Sequence, residues 1–285
     1  MAYGLSFVRH EAHRCRSTRV VMLVVLGGCS TGAFAAEGGV WSATADFASD
    51  TWIDTGSVLA SPASWGPWEW GIFAAGATAV GVSMATVDNT TRTEAQENRN
   101  SNSDNMAHLA NTLGTGFSLG VLAVSAGVGW IAHERRPLEL ARDGLEASII
   151  TTLIITPLKV VVGRSRPDQD PNGSDDYQPF SGNYSFPSGH TSQAFAIASV
   201  VANTYNDHWW AGALAYGVAG TVGYARINDN QHYLSDVIAG ALIGGAIGWK
   251  VVNLNRARRI SADVTAQLST SWSHSGQTVG IRLDF

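Results

Sequence analysis

Apolar and polar positions occur along this chain in long blocks. From Trp68 onward, six apolar stretches follow one another, separated by short polar breaks. Their length, their alanine content and the lack of strict two-residue alternation favour helices over strands. The stretches are Ile72–Met84, Leu113–Ala132, Ala147–Val162, Ser188–Thr204, Trp209–Ala225 and Val237–Val252. The pattern therefore predicts a mainly α domain, a six-helix bundle, over residues 68–253.

Two polar segments interrupt or precede this predicted domain. Residues 36–67 are mostly small and polar and are closed by Gly66-Pro67, which predicts a loose arm. Between the first two apolar stretches, Asp88–Asn105 is rich in Asn, Thr, Glu and Arg. This composition predicts either a solvated loop or a polar helix.

The pattern changes again after the last apolar stretch. Residues 254–285 begin with a basic linker that holds Arg256, Arg258 and Arg259. Residues 264–272 and 279–285 then alternate between apolar and other side chains, and Ser275-Gly276 lies between them. Period-two alternation around a turn predicts a C-terminal β-hairpin packed on the helical body.

Residues 1–35 predict an export signal peptide. Four arginines precede the apolar run Val20–Leu26, and Ala33-Phe34-Ala35 is a small-residue pattern that a signal peptidase would cut. Two alternatives stay open. Leu26-Gly27-Gly28-Cys29 resembles a lipoprotein box in which Cys29 is lipidated, or the segment stays uncleaved as a short anchor. All three interpretations direct the protein to the cell envelope or beyond.

Composition excludes several classes of protein. The chain has 18 basic and 23 acidic residues, a formal net charge of −5, so it lacks the basic surface that a nucleic-acid partner needs. Charged residues make up only 14% and hydrophobic residues 45%, which excludes a disordered chain. Only Cys15 and Cys29 are present, so a disulfide-stapled scaffold is excluded as well.

Three cations lie at the ends of apolar stretches: Lys159, Arg166 and Arg226. Cations brought together in a folded domain repel one another and lose hydration unless an anion lies between them. A phosphate dianion satisfies them, because guanidinium groups match its oxygens in pairs. Ser188 and Gly189 stand at a predicted helix start, where backbone N–H groups and a hydroxyl can bind the same anion. These residues predict a phosphate-binding site.

His232 and Asp236 are four residues apart and therefore share one face of a helical turn. A carboxylate bonded to one ring nitrogen fixes the tautomer and leaves the other nitrogen free to attack phosphorus. His190 is then the acid that protonates the leaving oxygen. Taken singly, the pair could be an ordinary helix ion pair and His190 a helix-start residue. Their occurrence together favours catalysis through a phosphohistidine.

These segments resemble the signature of the type 2 phosphatidic acid phosphatase and vanadium haloperoxidase superfamily, which is K-x6-RP, PSGH and SR-x5-H-x3-D. Every fixed position matches except Ala225, where the family has serine. The matching residues are Lys159, Arg166, Pro167, Pro187, Ser188, Gly189, His190, Arg226, His232 and Asp236. The resemblance implies a six-helix phosphatase domain over residues 68–253. It also implies that the lysine and both arginines bind phosphate, that the PSGH segment supplies donors and the acid, and that the second histidine is the nucleophile. The phosphatases of this superfamily need no metal, so no metal or other cofactor is expected.

Three kinds of member remain as alternatives. A lipid phosphatase would act on phosphatidate, a prenyl diphosphate or lipid A, a soluble periplasmic acid phosphatase on many small phosphoesters, and a haloperoxidase would hold vanadate. The residues around Gly163–Pro167 and Ser185–Thr191 resemble the lipid-phosphatase branch. Tryptophans at the predicted helix ends are typical of a membrane interface. We therefore expect an exported, membrane-associated phosphatase of the bacterial cell envelope that acts on a lipid phosphate.

The distribution of arginines leads to two conflicting topologies. Arg135, Arg136 and Arg142 favour the cytoplasmic side for the connection between the second and third helices. That places the loops with Lys159 and His232 outside, facing the periplasm. Six spans counted from a signal cleaved after residue 35 would place the same loops inside. Either the signal is not a simple cleaved one, or some of the six helices do not span the membrane.

Overall fold

The computed structural model describes residues 39–169 and 176–273. Within these ranges the chain forms eight α-helices, a 3₁₀ turn and a π-helical turn. The helices are α1 (Gly39–Ala60), α2 (Pro67–Val82), α3 (Asp88–Glu97), α4 (Ser101–Ala132), α5 (Arg135–Val162), α6 (Gly189–Thr204), α7 (Trp209–Asn228) and α8 (Leu234–Ser273). The predicted mainly α class is confirmed. The six apolar stretches coincide with α2 and with α4 to α8, so within residues 68–253 the expected count of six was too low by α3, and α1 precedes the predicted domain.

Helix α1 occupies most of the segment for which a loose arm was predicted, and that prediction was wrong. Its buried residues recur at every third or fourth position: Phe47, Thr51, Asp54 and Thr55. This spacing places them on one face of the helix, and α1 packs against α5 and α8. The face escaped the sequence analysis because three of its four members are polar. For Asp88–Asn105, the polar-helix alternative is the one that the structure adopts, as α3 and the start of α4.

Helix α8 continues to Ser273, through residues 264–272 that were predicted as the first strand of a hairpin. That prediction was wrong. After Gly248 the described part of α8 holds no glycine or proline that would stop a helix, so the helix started by the apolar stretch propagates. The predicted turn and second strand lie outside the described residues. Within residues 39–169 and 176–273 there is no strand, only an isolated bridge between Arg164 and Tyr177.

Helix α6 lies at the centre of the bundle and packs on α5, α7 and α8. Its contact with α8 is close because Gly240, Gly244 and Gly248 form a stripe at four-residue spacing along α8. A Cβ atom at Gly240 would lie 2.7 Å from the Ser188 carbonyl oxygen, and one at Gly244 would overlap the Ser192 carbonyl. Small residues that let two helix backbones touch are common in membrane proteins. Here they let α6 lie directly against the N-terminal part of α8.

In the part of the chain that the structure describes, three helical segments are long and apolar enough to cross a membrane: Pro67–Glu97, Arg135–Val162 and Leu234–Val264. Large apolar side chains also lie on the outside of the bundle. Trp68 is 77% exposed and Trp209 is 81% exposed. Apolar surface of this extent is unfavourable in water and favourable in a bilayer. Composition, length and exposed surface therefore agree with the predicted membrane association.

Candidate active site

A cleft of about 740 Å³ opens between α4, α5 and α6, at the end of the bundle where α5 ends and α6 and α8 begin. Five of the residues predicted from sequence line it: Lys159, Arg166, Gly189, His190 and His232. They come from the last turn of α5, the loop after it, the start of α6 and the loop before α8. Folding thus brings all three sequence segments to one place.

The predicted pair of His232 and Asp236 meets at the start of α8. His232 Nδ1 lies 3.5 Å from Asp236 Oδ2, and both side chains are buried. The carboxylate is held by other donors: Ser185 Oγ at 2.6 Å and the Tyr233 N–H at 3.0 Å both donate to Oδ2. At 3.5 Å the imidazole contact is longer than a hydrogen bond, and such contacts often shorten when substrate binds. The geometry turns Nδ1 toward the carboxylate.

The cations near the cleft are positioned mainly by neutral acceptors. Lys159 Nζ donates to the Tyr184 carbonyl at 2.7 Å, and Arg166 Nη1 donates to Gln231 Oε1 at 2.5 Å. Carbonyl and amide oxygens orient a cation without cancelling its charge. Arg226 is not among the residues that line the cleft. It forms an ion pair with Asp229 at 3.1 Å, while its buried Nε makes no hydrogen bond with the described residues.

Ser188 and Gly189 stand at the start of α6, as predicted, but the two residues face different surroundings. The Ser188 hydroxyl is fully buried, accepts a hydrogen bond from Thr191 Oγ1 at 2.9 Å and does not line the cleft. Gly189 does line it, and a Cβ there would lie 3.5 Å from Lys159 Cε. The structure therefore brings the backbone at the start of α6 to the cleft. The serine hydroxyl points away from the cleft into the protein interior.

Both histidines are held in an environment that favours the neutral ring. Burial, followed by the positive charge of Arg226, lowers the pKa of His190 to about 4. Burial also lowers the pKa of His232, although Asp236 acts in the opposite direction. Both imidazoles are consequently neutral at pH 7 when no anion is bound. A dianion bound in the cleft would favour the protonated form of an imidazole beside it.

Two buried residues that the sequence analysis passed over extend the site. Arg164 is fully buried, and its Nη1 lies 2.8 Å from Asp236 Oδ1 while its Nη2 lies 2.8 Å from Asp88 Oδ2. Arg164 also stacks on the Tyr233 ring at 4.0 Å. In K-x6-RP, position 164 is only a spacer. The signal that the sequence offers is Gly163, a helix-ending glycine that has φ 60° in the structure and makes Arg164 the first residue of the loop after α5.

Helix α3 braces the two loops that carry the site. Arg92 Nε donates to Asn230 Oδ1 at 3.2 Å, and its Nη2 donates to the Pro167 carbonyl. Gln96 Nε2 donates to the Asn228 carbonyl at 3.1 Å. Helix α3 is polar because its side chains donate hydrogen bonds to backbone and amide oxygens. These oxygens belong to the loop after α5 and to the segment that leads from α7 to His232.

The chemistry available here follows from these contacts. A cleft with fixed cations and a helix start can bind a phosphate group, and a neutral imidazole backed by a carboxylate can act as a nucleophile. A second imidazole in the same cleft can carry a proton. Among residues 39–169 and 176–273, no group of three or more His, Cys, Asp or Glu side chains is placed to hold a metal ion.

Comparison with known families identifies the domain. Residues 144–260 match the PAP2 superfamily, so this chain carries a PAP2 superfamily domain. The match contains the whole set of predicted site residues, from Lys159 to Asp236. It begins after α1, α2, α3 and α4, so Asp88 and Arg92 lie outside it.

Relatives and a solved structure agree with this assignment. The chain is 42% identical over 65 residues to a lipid A 1-phosphatase of Porphyromonas gingivalis. This aligned segment covers 22% of this chain and 15% of that protein. It is 28% identical over 130 residues to a lipid A 4'-phosphatase of Bacteroides thetaiotaomicron, which is 44% of this chain and 55% of that protein. The chain thus spans little more than half of these relatives at most. The crystal structure of a transmembrane PAP2-type phosphatidylglycerolphosphate phosphatase from Bacillus subtilis is similar in fold, with a TM-score of 0.52 and 20% identity over 66% of this chain and 95% of that one.

Proposed function

We propose that this protein is a phosphatase that removes a phosphate group from a membrane lipid through a phosphohistidine on His232. The observation that carries the proposal is the convergence of Lys159, Arg166, His190 and His232 on one cleft, with Asp236 behind His232. Transfer of a phosphoryl group to nitrogen needs fixed positive charge around the phosphate and a neutral, oriented imidazole. This cleft supplies both.

In the first step, the free ring nitrogen of His232 attacks phosphorus while the bond from phosphorus to the leaving oxygen breaks. The phosphate oxygens are held by Lys159 and Arg166 and by the backbone at Gly189, with Arg226 adding positive charge beside them. His190, protonated once the dianion is bound, gives its proton to the leaving alkoxide. Asp236 stabilises the positive charge that develops on the His232 ring.

In the second step, the neutral His190 takes a proton from a water molecule. The resulting oxygen attacks phosphorus, the bond between nitrogen and phosphorus breaks, and inorganic phosphate leaves. His232 returns to its neutral form, and His190 gives its proton to solvent or to the departing phosphate. The atoms and charges balance without a metal or an organic cofactor.

The shape of the cleft supports a lipid substrate. Beyond Lys159 it continues along one face of α5, through Thr156, Thr152 and Ser148, with Leu119 of α4 on the opposite wall. From Lys159 back to Ser148 the helix spans about 16 Å. Helix α5 is also one of the segments that are long and apolar enough to cross a membrane. A groove of this length along such a helix fits a phosphate with a long group attached.

The names of the relatives supply independent support for a lipid substrate. Two of the proteins similar to this chain are lipid A phosphatases. The fold neighbour is a phosphatidylglycerolphosphate phosphatase. These names describe those proteins, and the shared feature is a phosphate on a membrane lipid, which is the substrate class proposed for this chain.

We further propose that the active-site end faces the periplasm. The opposite end of the bundle carries Arg135, Arg136, Arg142 and the arginines of α8 near residue 258, and clusters of this kind stay cytoplasmic. Asp50 and Asp54 of α1 form ion pairs with this basic end, so α1 lies on the same side. This orientation conflicts with a signal cleaved after residue 35, which would put α1 outside, and that signal remains an untested prediction.

The function is tested by phosphate release from dioleoyl phosphatidate in detergent and from p-nitrophenyl phosphate, each compared with the His232→Ala protein. We expect turnover of the lipid to exceed turnover of the soluble ester at equal concentration, and the variant to lose about 10⁴-fold or more in kcat. Equal or better turnover of the soluble ester would instead support a broad-specificity acid phosphatase. Full activity of His232→Ala would overturn the mechanism.

The orientation is tested by labelling with a membrane-impermeant maleimide in a background where Cys15 and Cys29 are serine. Phe180 lies near the active-site end and is 75% exposed, and Ile260 lies near the basic end and is 59% exposed. We expect Phe180→Cys to react in intact spheroplasts and Ile260→Cys to react only after lysis. The reverse pattern would overturn the proposed orientation.

A further inference from the structure

We infer that Asp88 and Arg164 are positioning residues of the active site, which hold Asp236 toward His232 and keep a net negative charge behind the imidazole. The inference rests on the proposed function. Neither residue lines the cleft, so neither is a catalytic residue in the strict sense. They act through Asp236.

The geometry of Arg164 shows how this works. Its guanidinium bridges two carboxylates, with Nη1 2.8 Å from Asp236 Oδ1 and Nη2 2.8 Å from Asp88 Oδ2. All three side chains are fully shielded from solvent or nearly so. Nη1 also donates to Ser235 Oγ at 2.7 Å, and Ser235 Oγ in turn donates to Asp88 Oδ2 at 2.5 Å. A planar guanidinium fork held on both sides cannot rotate, so Asp236 is fixed with Oδ2 toward His232.

Asp88 also fixes the start of α8 directly. Its Oδ1 accepts hydrogen bonds from the Ser235 N–H at 2.9 Å and from Ser83 Oγ at 2.9 Å. A carboxylate that accepts the N–H group in the first turn of a helix stabilises that turn. The turn in question carries Asp236 and follows His232. Asp88 therefore holds Arg164, the charge partner of Asp236, in place. It also fixes the backbone turn that carries Asp236.

The net charge of the buried group behind His232 explains why Asp88 matters to the reaction. Asp88, Arg164 and Asp236 together carry one net negative charge in a buried, low-dielectric place. If Asp88 were neutral, Arg164 would cancel Asp236 and the group would carry no net charge. The imidazole of His232 becomes positively charged as it is phosphorylated, and a net negative charge behind it stabilises that state. Asp88 lies outside the matched PAP2 region, so the segment before that region completes the site.

The charged and titratable groups that face His232 come from several elements. They are Asp236 on α8, Lys159 on α5, Arg166 on the loop after α5 and His190 on α6. The first is negative and the others are positive or neutral. Loss of the net negative charge behind His232 therefore disfavours its protonated form, which moves the acidic limb of the pH profile of kcat/KM to lower pH.

The experiment compares Asp88→Asn with Asp54→Asn in the full chain in detergent, using phosphate release from dioleoyl phosphatidate. Asp54 is a matched control, because it is equally buried and paired with an arginine at the other end of the bundle. We expect Asp88→Asn to lower kcat by about 10–100-fold with KM within about threefold, as for residues that orient a reacting group. We expect its acidic limb to shift down by about 0.5–1 pH unit. Asp54→Asn should leave both kcat and the limb unchanged.

Two further variants keep the test decisive if Asp88→Asn folds poorly. Ser83→Ala removes one hydrogen bond to Asp88 and keeps its charge, so we expect kcat to fall by about two- to fivefold without a shift of the limb. In a double-mutant cycle, Asp88→Asn added to Asp236→Asn should cost less than about threefold, because the two residues act as a unit.

Different results overturn different statements. If the wild-type protein releases phosphate and Asp88→Asn or Ser83→Ala matches it in kcat and pH profile, the inference about Asp88 is wrong. A fully additive cycle with Asp236→Asn would also contradict it. If the wild-type protein releases no more phosphate than His232→Ala, the proposed function itself fails. The two failures are therefore told apart by the wild-type arm alone.

Discussion

Two networks of buried carboxylates and arginines lie at opposite ends of α5 and α8. The first joins Asp88, Arg164 and Asp236 near the cleft. In the second, Asp54 pairs with Arg258, and Asp143 receives two hydrogen bonds of 3.0 Å from Arg259. Along α5 the two ends are about 24 Å apart, measured as the helical rise from Asp143 to Lys159 in the last turn.

The networks share their chemistry and differ in what they touch. Near the cleft, the last carboxylate lies 3.5 Å from an imidazole that lines the cavity. At the other end, the arginines are partly exposed, and the contacts join α1 to α8 and α8 to α5. A buried ion pair adds little net stability compared with apolar packing, so its presence calls for a second reason. The first network therefore fits a role in the proposed reaction, and the second holds the helices together.

The largest expected effect is a difference in kcat between substitutions of Arg164 and of Arg258. Arg164→Lys replaces a fork that bridges two carboxylates with a single ammonium, so Asp236 loses its fixed position. We expect kcat for phosphate release to fall by about 10²-fold, which corresponds to about 2.7 kcal/mol. Arg258→Lys makes the same chemical change at the other end and should leave kcat within about twofold. Equal losses in both variants would remove the distinction between the networks.

An intermediate effect concerns stability. We expect Asp54→Asn to lower the free energy of unfolding by about 1–3 kcal/mol, because the fully buried carboxylate loses its charge-assisted bonds to Arg258. The loss stays below that of a wholly buried pair, since the Arg258 side chain is 34% exposed and can be hydrated. Denaturant unfolding in one detergent measures it. Asp50→Asn is the control, with a loss below about 1 kcal/mol, because the Asp50 side chain is 28% exposed and its pair is at the rim.

The smallest expected effect is a pH dependence at the active-site end. The folded protein holds the pKa of His190 at about 4, against 6.5 for the free side chain. Between these values the unfolded chain binds a proton that the folded chain does not, so stability is present above pH 6.5 and decreases as pH falls toward 4. Sulfate bound in the cleft offsets this loss by favouring protonated His190. We expect sulfate to raise Tm more at pH 5.5 than at pH 7.5, and we expect His190→Asn to abolish that difference. If the variant keeps the difference, groups other than His190 cause the pH dependence of the sulfate effect.

Much of the site could be predicted because its chemistry is carried by short segments. Lys159 and Arg166 flank the end of one apolar helix, and His232 and Asp236 are one helical turn apart, so their relation follows from local geometry. Arg164 escaped because its importance depends on Asp88, which lies 76 residues away in the chain. Nothing near position 164 indicates which carboxylate it will meet. The sequence shows that Ser188 carries a hydroxyl and does not show which way it points; in the structure it is buried and accepts a hydrogen bond from Thr191.

The sequence by itself determined the helical class, the six apolar segments and the residue types that can bind and transfer a phosphate group. Each of these depends on neighbours within one or two helical turns, where propensity, periodicity and spacing act. Only the tertiary structure decided that α1 is a helix and that Asp88 stands behind Asp236. These features depend on pairs of groups distant in sequence, whose buried charges are stable only when the whole bundle brings them together.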